Sequence, residues 1–118
     1  MCKIISSDVI IGHCVLEAVK RGVTQVSFKQ LIAFDEQIGA PLKEMDYFAK
    51  FSLYRVFEFE DKYPFFVSSI SDDALIIDHG SNRAHTIERL KKYFRMGLPN
   101  VVIDTFTSAS DKIFGTAR

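Results

Sequence analysis

Two aspartates, each directly after a short run rich in β-branched residues, are the side chains whose placement most resembles a catalytic site. Asp78 follows residues 74–77 (ALII), Asp104 follows residues 100–103 (NVVI), and the segment between them has a helical pattern. If both runs were parallel strands, the connecting helix would place the two carboxylates at neighbouring strand ends, where open α/β sheets bind their ligands. Carboxylate oxygens suit Mg²⁺, so the pair is a candidate divalent-metal site.

Ordinary turn chemistry explains the same residues without any reaction. The sequence from Asp78 through His79 to Ser81 is typical of a turn followed by a helix N-cap, and Asp104 can simply end a strand. In an enzyme, His79 would be the candidate base, and backbone amides near Ser81 would bind an anion. The sequence contains no Gly-rich phosphate loop, no H-E-x-x-H motif and no nucleophile elbow. We therefore rank catalysis below macromolecular binding, and nothing in the sequence predicts a cofactor.

A predicted helix from about Asn82 to Met96 has the strongest basic character in the chain. Its apolar residues recur at helical spacing and predict an inward face opposite a basic face. The favoured interpretation of the basic face is a solvated surface in which Glu88 and Lys92 form an i,i+4 pair. The other interpretation is contact with phosphates or with an acidic partner protein. The candidate binding residues on this face are His85, Arg89, Lys92 and Arg95.

The first predicted helix, Asp8 to Arg21, has an apolar arc wider than half of its circumference. So wide an arc needs cover on two sides, so the helix either lies centrally in the fold or meets a second subunit. We favour the central position. His13 and Glu17 lie on its narrow polar stripe and could in principle ligate a metal. A hydrogen-bonded pair on the surface is the preferred interpretation, because no second pair of ligands lies nearby in the sequence.

An acidic residue interrupts the apolar face of the second predicted helix. Asp35 projects into the same face as Phe28, Leu31 and Phe34. It could escape to water near the end of the helix, or it could be a buried acid with a raised pKa or an Arg partner. We favour the exposed carboxylate, because isolated buried carboxylates are rare.

Capping and turn residues divide the remaining chain into elements. Ser27 with Gln30 forms a capping box that starts the second helix, and Gly39 is the residue expected to end it. Pro41 suits the first turn of a third helix, and alternating residues after it indicate strands. The segment from Ser108 onward is expected to be a polar tail. The predicted helices after the first are Phe28–Ile38, about Leu42–Lys50 and about Asn82–Met96, and the predicted strands lie near 52–59, 65–70, 74–78 and 101–106.

These elements predict one α+β domain spanning residues 1–118. Three N-terminal helices would pack on a small, mostly antiparallel sheet, and a fourth helix would belong to a C-terminal strand-helix-strand unit. The expected core residues are Phe28, Leu31, Phe48, Leu53, Phe57, Val67, Ile76, Leu90, Phe94 and Val102.

The order of helix, short extended piece, helix, turn, helix and strand hairpin over residues 7 to about 70 resembles a winged helix-turn-helix domain. The resemblance implies that the third helix would enter the DNA major groove and that the hairpin would form the wing. The wing would carry Glu58, Glu60 and Asp61, which repel phosphates. Use of the same fold for docking a protein therefore fits these charges better than DNA binding does.

The composition of the chain favours a globular binding protein. It has 118 residues, 11 Phe, four Tyr and a formal net charge of zero, so no overall charge attracts it to nucleic acid or anionic membranes. Its two cysteines are too few for a disulfide framework, and Cys14 is expected to be a buried free thiol. The sequence shows neither a secretory leader nor an apolar run of about 20 residues, so we expect a cytoplasmic protein without a membrane span.

Three functions follow in order of preference. The first is a small non-enzymatic regulatory or adaptor protein that binds another protein and forms a homodimer through the first helix or an aromatic strand edge. The alternative is a nucleic-acid-binding transcriptional regulator of the winged-helix type. The third is a small metal-assisted hydrolase that uses Asp78 and Asp104.

Overall fold

The computed structural model describes residues 3–71, 73–77, 82–95 and 97–115, and it confirms the predicted α+β class. Buried side chains from these elements form one hydrophobic cluster. The strands are β1 (Lys3–Ile5), β2 (Gln25–Ser27), β3 (Tyr47–Ala49), β4 (Val67–Ser71) and β5 (Ala74–Ile77). The helices are α1 (Ser7–Lys20), α2 (Phe28–Glu44), α3 (Arg55–Lys62), α4 (Arg83–Phe94) and α5 (Asn100–Phe114).

The described strands form two separate small sheets. β2, β5 and β4 make an antiparallel sheet in that order, and a register shift interrupts the β4–β5 pairing between Val67 and Ser69. β1 and β3 make a parallel pair in which Ile4 lies beside Phe48. Parallel sheets are usually covered on both faces, yet the side chains of Ile4 and Phe48 are 66% and 57% exposed.

Helix α1 is the central element of the fold. Its contacts reach α2, α3, α4 and α5, and every residue from Ile10 to Val19 is fully buried or nearly so. The prediction of a central helix is confirmed, and the alternative in which α1 meets a second subunit is wrong, because this chain already covers all of its sides. Close packing against α4 requires a glycine at position 12, where a Cβ atom would overlap the ring of Phe94.

Helix α2 is longer than predicted. Its capping box is confirmed, because Ser27 Oγ accepts from the Gln30 amide at 3.1 Å and Gln30 Oε1 accepts from the Ser27 amide at 2.8 Å. The expected end at Gly39 is wrong, since the helix continues through Pro41 to Glu44. Leu31, Phe34, Ile38 and Leu42 are all completely buried along one stripe. Burying Leu42 contributes about 1.5–3 kcal/mol, which offsets much of the cost of a helical Gly and Pro.

The predicted third helix, from about Leu42 to Lys50, is also wrong. Its first residues are the last turn of α2, and residues 47–49 are β3. The chain reverses at Asp46, whose φ of 65° is in the left-handed region that aspartate tolerates better than most residues. The change from helix to strand therefore falls in the middle of the segment that was assigned to one helix.

Two predicted strands are helices. The segment near 52–59 forms the short helix α3, because Val56 and Phe59 at i,i+3 are buried while Phe57 is 52% exposed. The segment near 101–106 belongs to α5, where Val102 and Phe106 at i,i+4 are buried. The expected polar tail from Ser108 is the second half of the same helix. β-branched and aromatic residues suggested strands here, but tertiary burial at helical spacing decides the conformation.

These corrections remove the basis of the winged-helix resemblance. The third helix and the first strand of the wing are not found within residues 42–59, although strands β4 and β5 lie close to their predicted positions. The C-terminal unit is strand-helix-helix rather than strand-helix-strand. Five predicted core residues are buried, whereas Phe48 and Phe57 are instead exposed. The five buried residues are Leu31, Val67, Leu90, Phe94 and Val102, while Phe28, Leu53 and Ile76 are partly buried.

Candidate functional site

The polar stripe of α1 is not on the surface. His13 and Glu17 are both completely buried, so the predicted surface pair is wrong. Helices α4 and α5 pack on this side of α1 and enclose both side chains. The sequence alone could not show this enclosure, because the covering residues lie about 80–90 positions away along the chain.

The carboxylate of Glu17 is surrounded by cationic side chains at the C-terminal ends of α1 and α4. Arg21 Nη1 contacts Glu17 Oε2 at 2.7 Å, Lys20 Nζ contacts the same oxygen at 3.4 Å, and Arg95 Nη2 lies 3.5 Å from Oε1. The hydroxyl of Thr107 on α5 donates to Oε1 at 3.3 Å. A buried carboxylate is tolerated only with such partners, so this cluster fixes the packing of α1, α4 and α5.

Arg21 extends the cluster to the end of α5. Its guanidinium is only 3% exposed and forms an ion pair with Asp111. It also donates from Nε to the carbonyl of Gly115 at 2.7 Å and from Nη1 to the carbonyl of Glu17 at 2.9 Å. These bonds satisfy carbonyl groups near the ends of two helices, where cationic side chains are favourable.

His13 is a neutral core residue. Its Nε2 donates to the carbonyl of Phe94 at 2.8 Å, and its ring stacks on Phe106 with 4.3 Å between centroids. Burial is the main cause that lowers the pKa of His13 from 6.5 to about 4; the carbonyl of Phe94 raises it, Arg95 lowers it and Glu17 raises it. No described residue hydrogen-bonds to its Nδ1. With both His13 and Glu17 sealed inside, the cluster stabilises the fold and offers no access to a substrate.

The predicted metal pair loses its geometric basis. Asp104 is an exposed residue of α5 rather than the end of a strand. It lines a cleft of about 260 Å³ with Gln37, Pro41 and Lys112. Asp78, together with His79 and Ser81, lies outside the described residues. Within residues 3–71, 73–77, 82–95 and 97–115, no group of three or more His, Cys, Asp or Glu side chains has the arrangement of a metal site.

The four candidate binding residues in and just after α4 lie in different environments. His85 and Lys92 are exposed, as predicted. Arg95 instead turns inward and contacts Glu17, so its placement on a shared outer face is wrong. Arg89 lies over two aromatic rings, 4.6 Å from the centroid of Phe65 and 5.8 Å from that of Phe66. Such cation–π contacts hold a guanidinium in place while leaving donors free for a partner.

Arg89 is part of an aromatic surface that the sequence did not predict. The rings of Phe65 and Tyr93 lie 5.9 Å apart and are 38% and 51% exposed. We call Phe65, Arg89 and Tyr93 together the aromatic platform. It rests on the buried rings of Phe66 and Phe94, and Phe94 packs in turn on the buried ring of Phe59. The only sequence signals were the aromatic clusters at 63–66 and 93–94, which belong to different elements and carry no information about their contact.

The environment of Asp35 is intermediate between the exposed carboxylate and the buried acid that the sequence allowed. Burial, followed by the charge of Glu36, raises its pKa. Its Oδ1 is buried without a hydrogen-bond partner among the described residues. The residue lines a small cleft of about 170 Å³ with Gly39, Lys43 and Tyr47. The raised pKa of the second interpretation is confirmed, whereas the proposed Arg partner is not found among the described side chains.

Another cleft lies beside the start of α1. It has a volume of about 400 Å³ and is lined by Ser7, Lys50 and Arg55 among others. The hydroxyl of Ser7 already donates to the carbonyl of Lys50 at 2.8 Å and accepts from the amide of Ser52 at 3.0 Å. The Arg55 side chain pairs with Glu58 at 2.5 Å. The two bonds of the Ser7 hydroxyl hold the segment after β3 against α1, so we assign this cleft a structural role.

The chain matches no protein-family model, and neither the curated proteins nor the solved structures contain a significant match. Among the helices of the described residues, none has the length and apolar character needed to cross a membrane.

Proposed function

We propose that this protein is a small non-enzymatic regulatory or adaptor protein that binds another protein through the aromatic platform and forms a homodimer. The observation that carries the proposal is the guanidinium of Arg89, held 4.6 Å above Phe65 and beside the half-exposed ring of Tyr93. Tyr, Arg and Phe are enriched in protein interfaces, and Tyr and Arg supply much of the binding energy there.

The platform is organised before any partner arrives. Its exposed rings pack against Phe66 at 4.6 and 5.7 Å between centroids, and Phe66 itself is buried. A surface that is already ordered loses little side-chain entropy on binding. Desolvating Phe65 and Tyr93 would therefore contribute to affinity with little loss from ordering.

The charges around the platform favour an acidic partner segment. His85, Arg89 and Tyr93 follow one another at i,i+4 spacing on α4, with Lys92 exposed beside them. The acidic residue of α4, Glu88, pairs with Lys91 at 3.5 Å rather than with Lys92 as predicted. A peptide with aromatic or aliphatic residues flanked by Asp or Glu would bury its apolar side chains on the rings and place carboxylates near Arg89 and Lys92.

Selection from a random displayed-peptide library tests this chemistry even though the natural partner is unidentified. We expect enriched peptides to combine acidic and aromatic residues and to lose binding to Lys92→Glu. The matched control is Lys29→Glu, because Lys29 lies on the surface of α2. Enriched peptides without acidic residues would contradict the acidic partner, and equal loss with both variants would contradict binding beside Lys92 at the platform.

Nucleic-acid binding is the alternative, and the same surface supports it. Bases could stack on Tyr93 while Lys92 and Arg89 contact the backbone. The zero net charge of the chain makes this the weaker proposal. The test is binding of a labelled oligothymidine. Binding that weakens steeply with salt and is lost in Tyr93→Ala would favour nucleic-acid binding over protein binding.

A cytoplasmic location is part of the same proposal. Cys14 is a free thiol buried in the core, and burial is the main cause that raises its pKa. An inert buried thiol needs no oxidising compartment. Fractionation of cells that produce the tagged protein would test the location, and recovery from a secreted fraction would contradict it.

A further inference from the structure

The outer edge of strand β1 is suited to pair with the same edge of a second copy. The amide of Lys3 donates to the carbonyl of Asp46 at 3.0 Å, and the carbonyl of Ile5 accepts from the amide of Lys50 at 2.9 Å. Lys3 and Ile5, the two residues of β1 on either side of Ile4, therefore direct their backbone groups toward β3. Because these directions alternate along a strand, the N–H and C=O of Ile4 point away from β3, toward the outer edge.

We infer that two copies of this chain associate by antiparallel pairing of β1 with β1, centred on Ile4. A residue whose N–H and C=O both point outward can exchange two hydrogen bonds with the identical residue across a twofold axis. The result is a four-stranded sheet in the order β3, β1, β1 and β3. This inference rests on the homodimer of the proposed function and adds the surface through which it forms.

The side chains at this edge fit the same arrangement. Ile4 and Phe48 are register partners, so pairing through Ile4 would align four apolar side chains in one row across the joined sheet. Ile4, which is 66% exposed in the single chain, would lose much of that exposure. Lys3 of each copy would stand opposite Ile5 of the other, so no like charges face one another directly.

Two further features favour a second copy as the occupant. The chain has a formal net charge of zero, so two copies have no net charge repulsion. A two-stranded sheet is marginal by itself, and extension to four strands adds both hydrogen bonds and cross-strand contacts. Since β1 has only three residues, we expect a concentration-dependent dimer rather than a permanent one.

Sedimentation velocity across a concentration series tests the inference. We expect the wild-type protein to shift from monomer to dimer, and Ile4→Pro to stay monomeric over the same series. Proline removes the outward N–H of position 4, while the inward bonds of Lys3 and Ile5 remain. Ile4→Lys should also be monomeric, because lysine on an edge strand opposes pairing.

The control variant is Val101→Lys, which places a lysine at an apolar residue of α5 that is 58% exposed. It should dimerise like the wild type, and circular dichroism should show that all variants are folded. A wild-type protein that is monomeric at every concentration would overturn the homodimer itself. A dimer that persists in folded Ile4→Pro and Ile4→Lys would overturn only the β1 edge as its contact, and neither result would affect peptide binding at the platform.

Discussion

At the scale of single residues, the carboxylate of Glu17 is buried in the core, where Lys20, Arg21 and Arg95 contact it. The local capping box of Ser27 and Gln30 could be predicted because both partners lie within one helical turn. The burial of Glu17 could not be predicted, because its enclosure depends on Arg95 and Thr107, which are distant in the chain. A charged residue on a helix is usually solvated. Its burial is favourable only where tertiary partners compensate the lost hydration.

Replacing Glu17 with Gln should destabilise the protein strongly. The change removes the carboxylate that Arg21 and Arg95 share, and loss of one partner from a buried ion pair costs about 3–5 kcal/mol. The matched control is Glu58→Gln, because Glu58 also pairs with an arginine but is 52% exposed. That change should cost less than about 1 kcal/mol. Urea denaturation measures both, and equal losses would contradict a stabilising role for the buried cluster.

His13 should make stability depend on pH in mildly acidic solution. Its folded pKa of about 4 lies below its ordinary value of 6.5, so between these values the unfolded chain binds a proton that the folded chain does not. Stability should therefore fall as the pH drops from about 6.5 toward 4, by about 3 kcal/mol from this residue alone, and be independent of His13 above that range. His13→Asn should remove this part of the dependence in urea denaturation at a series of pH values. Identical pH profiles for the two proteins would rule the effect out.

At the scale of elements, burial decided conformation wherever local signals conflicted with it. Gly39 and Pro41 are common helix-ending residues, yet Ile38 and Leu42 continue the buried stripe of α2 on either side of them. The run from 100 to 103 looked like a strand because it is β-branched, but Val101 is 58% exposed while Val102 is buried, as part of a helical pattern. Strands β4 and β5 of the antiparallel sheet were predicted because their β-branched residues and their burial indicate the same conformation.

Replacing a glycine with alanine should change the stability of the protein in opposite directions at two positions in different helices. Gly39 lies in the interior of α2 with open space where a Cβ would be placed, so Gly39→Ala should stabilise the protein by about 0.5–1 kcal/mol. Gly12 lies against the ring of Phe94, so Gly12→Ala should be destabilising despite its better helix propensity. Thermal unfolding followed by circular dichroism distinguishes them. Stabilisation by both substitutions would mean that α1 and α4 are not as closely packed as described.

At the scale of the whole molecule, the buried polar groups and the exposed aromatic groups have separate roles. The cluster around Glu17 joins α1, α4 and α5, and Arg95 belongs to it rather than to the surface. His85 and Lys92 are exposed on the same helix that contributes Arg89 and Tyr93 to the platform. Sequence reasoning found the basic helix but not the rings beside it, because the platform exists only where the turn after α3 meets α4.

The most direct test of the proposed function is the affinity of a selected acidic-aromatic peptide for Tyr93→Ala, measured by isothermal titration calorimetry beside the wild type. The matched control is Tyr54→Ala, because Tyr54 is 61% exposed but lies away from the platform at the start of α3. We expect Tyr93→Ala to weaken binding by about 30-fold, as for a central interface residue worth about 2 kcal/mol, and Tyr54→Ala to leave it unchanged. Equal affinity of the wild type and Tyr93→Ala would contradict the platform as the site of binding.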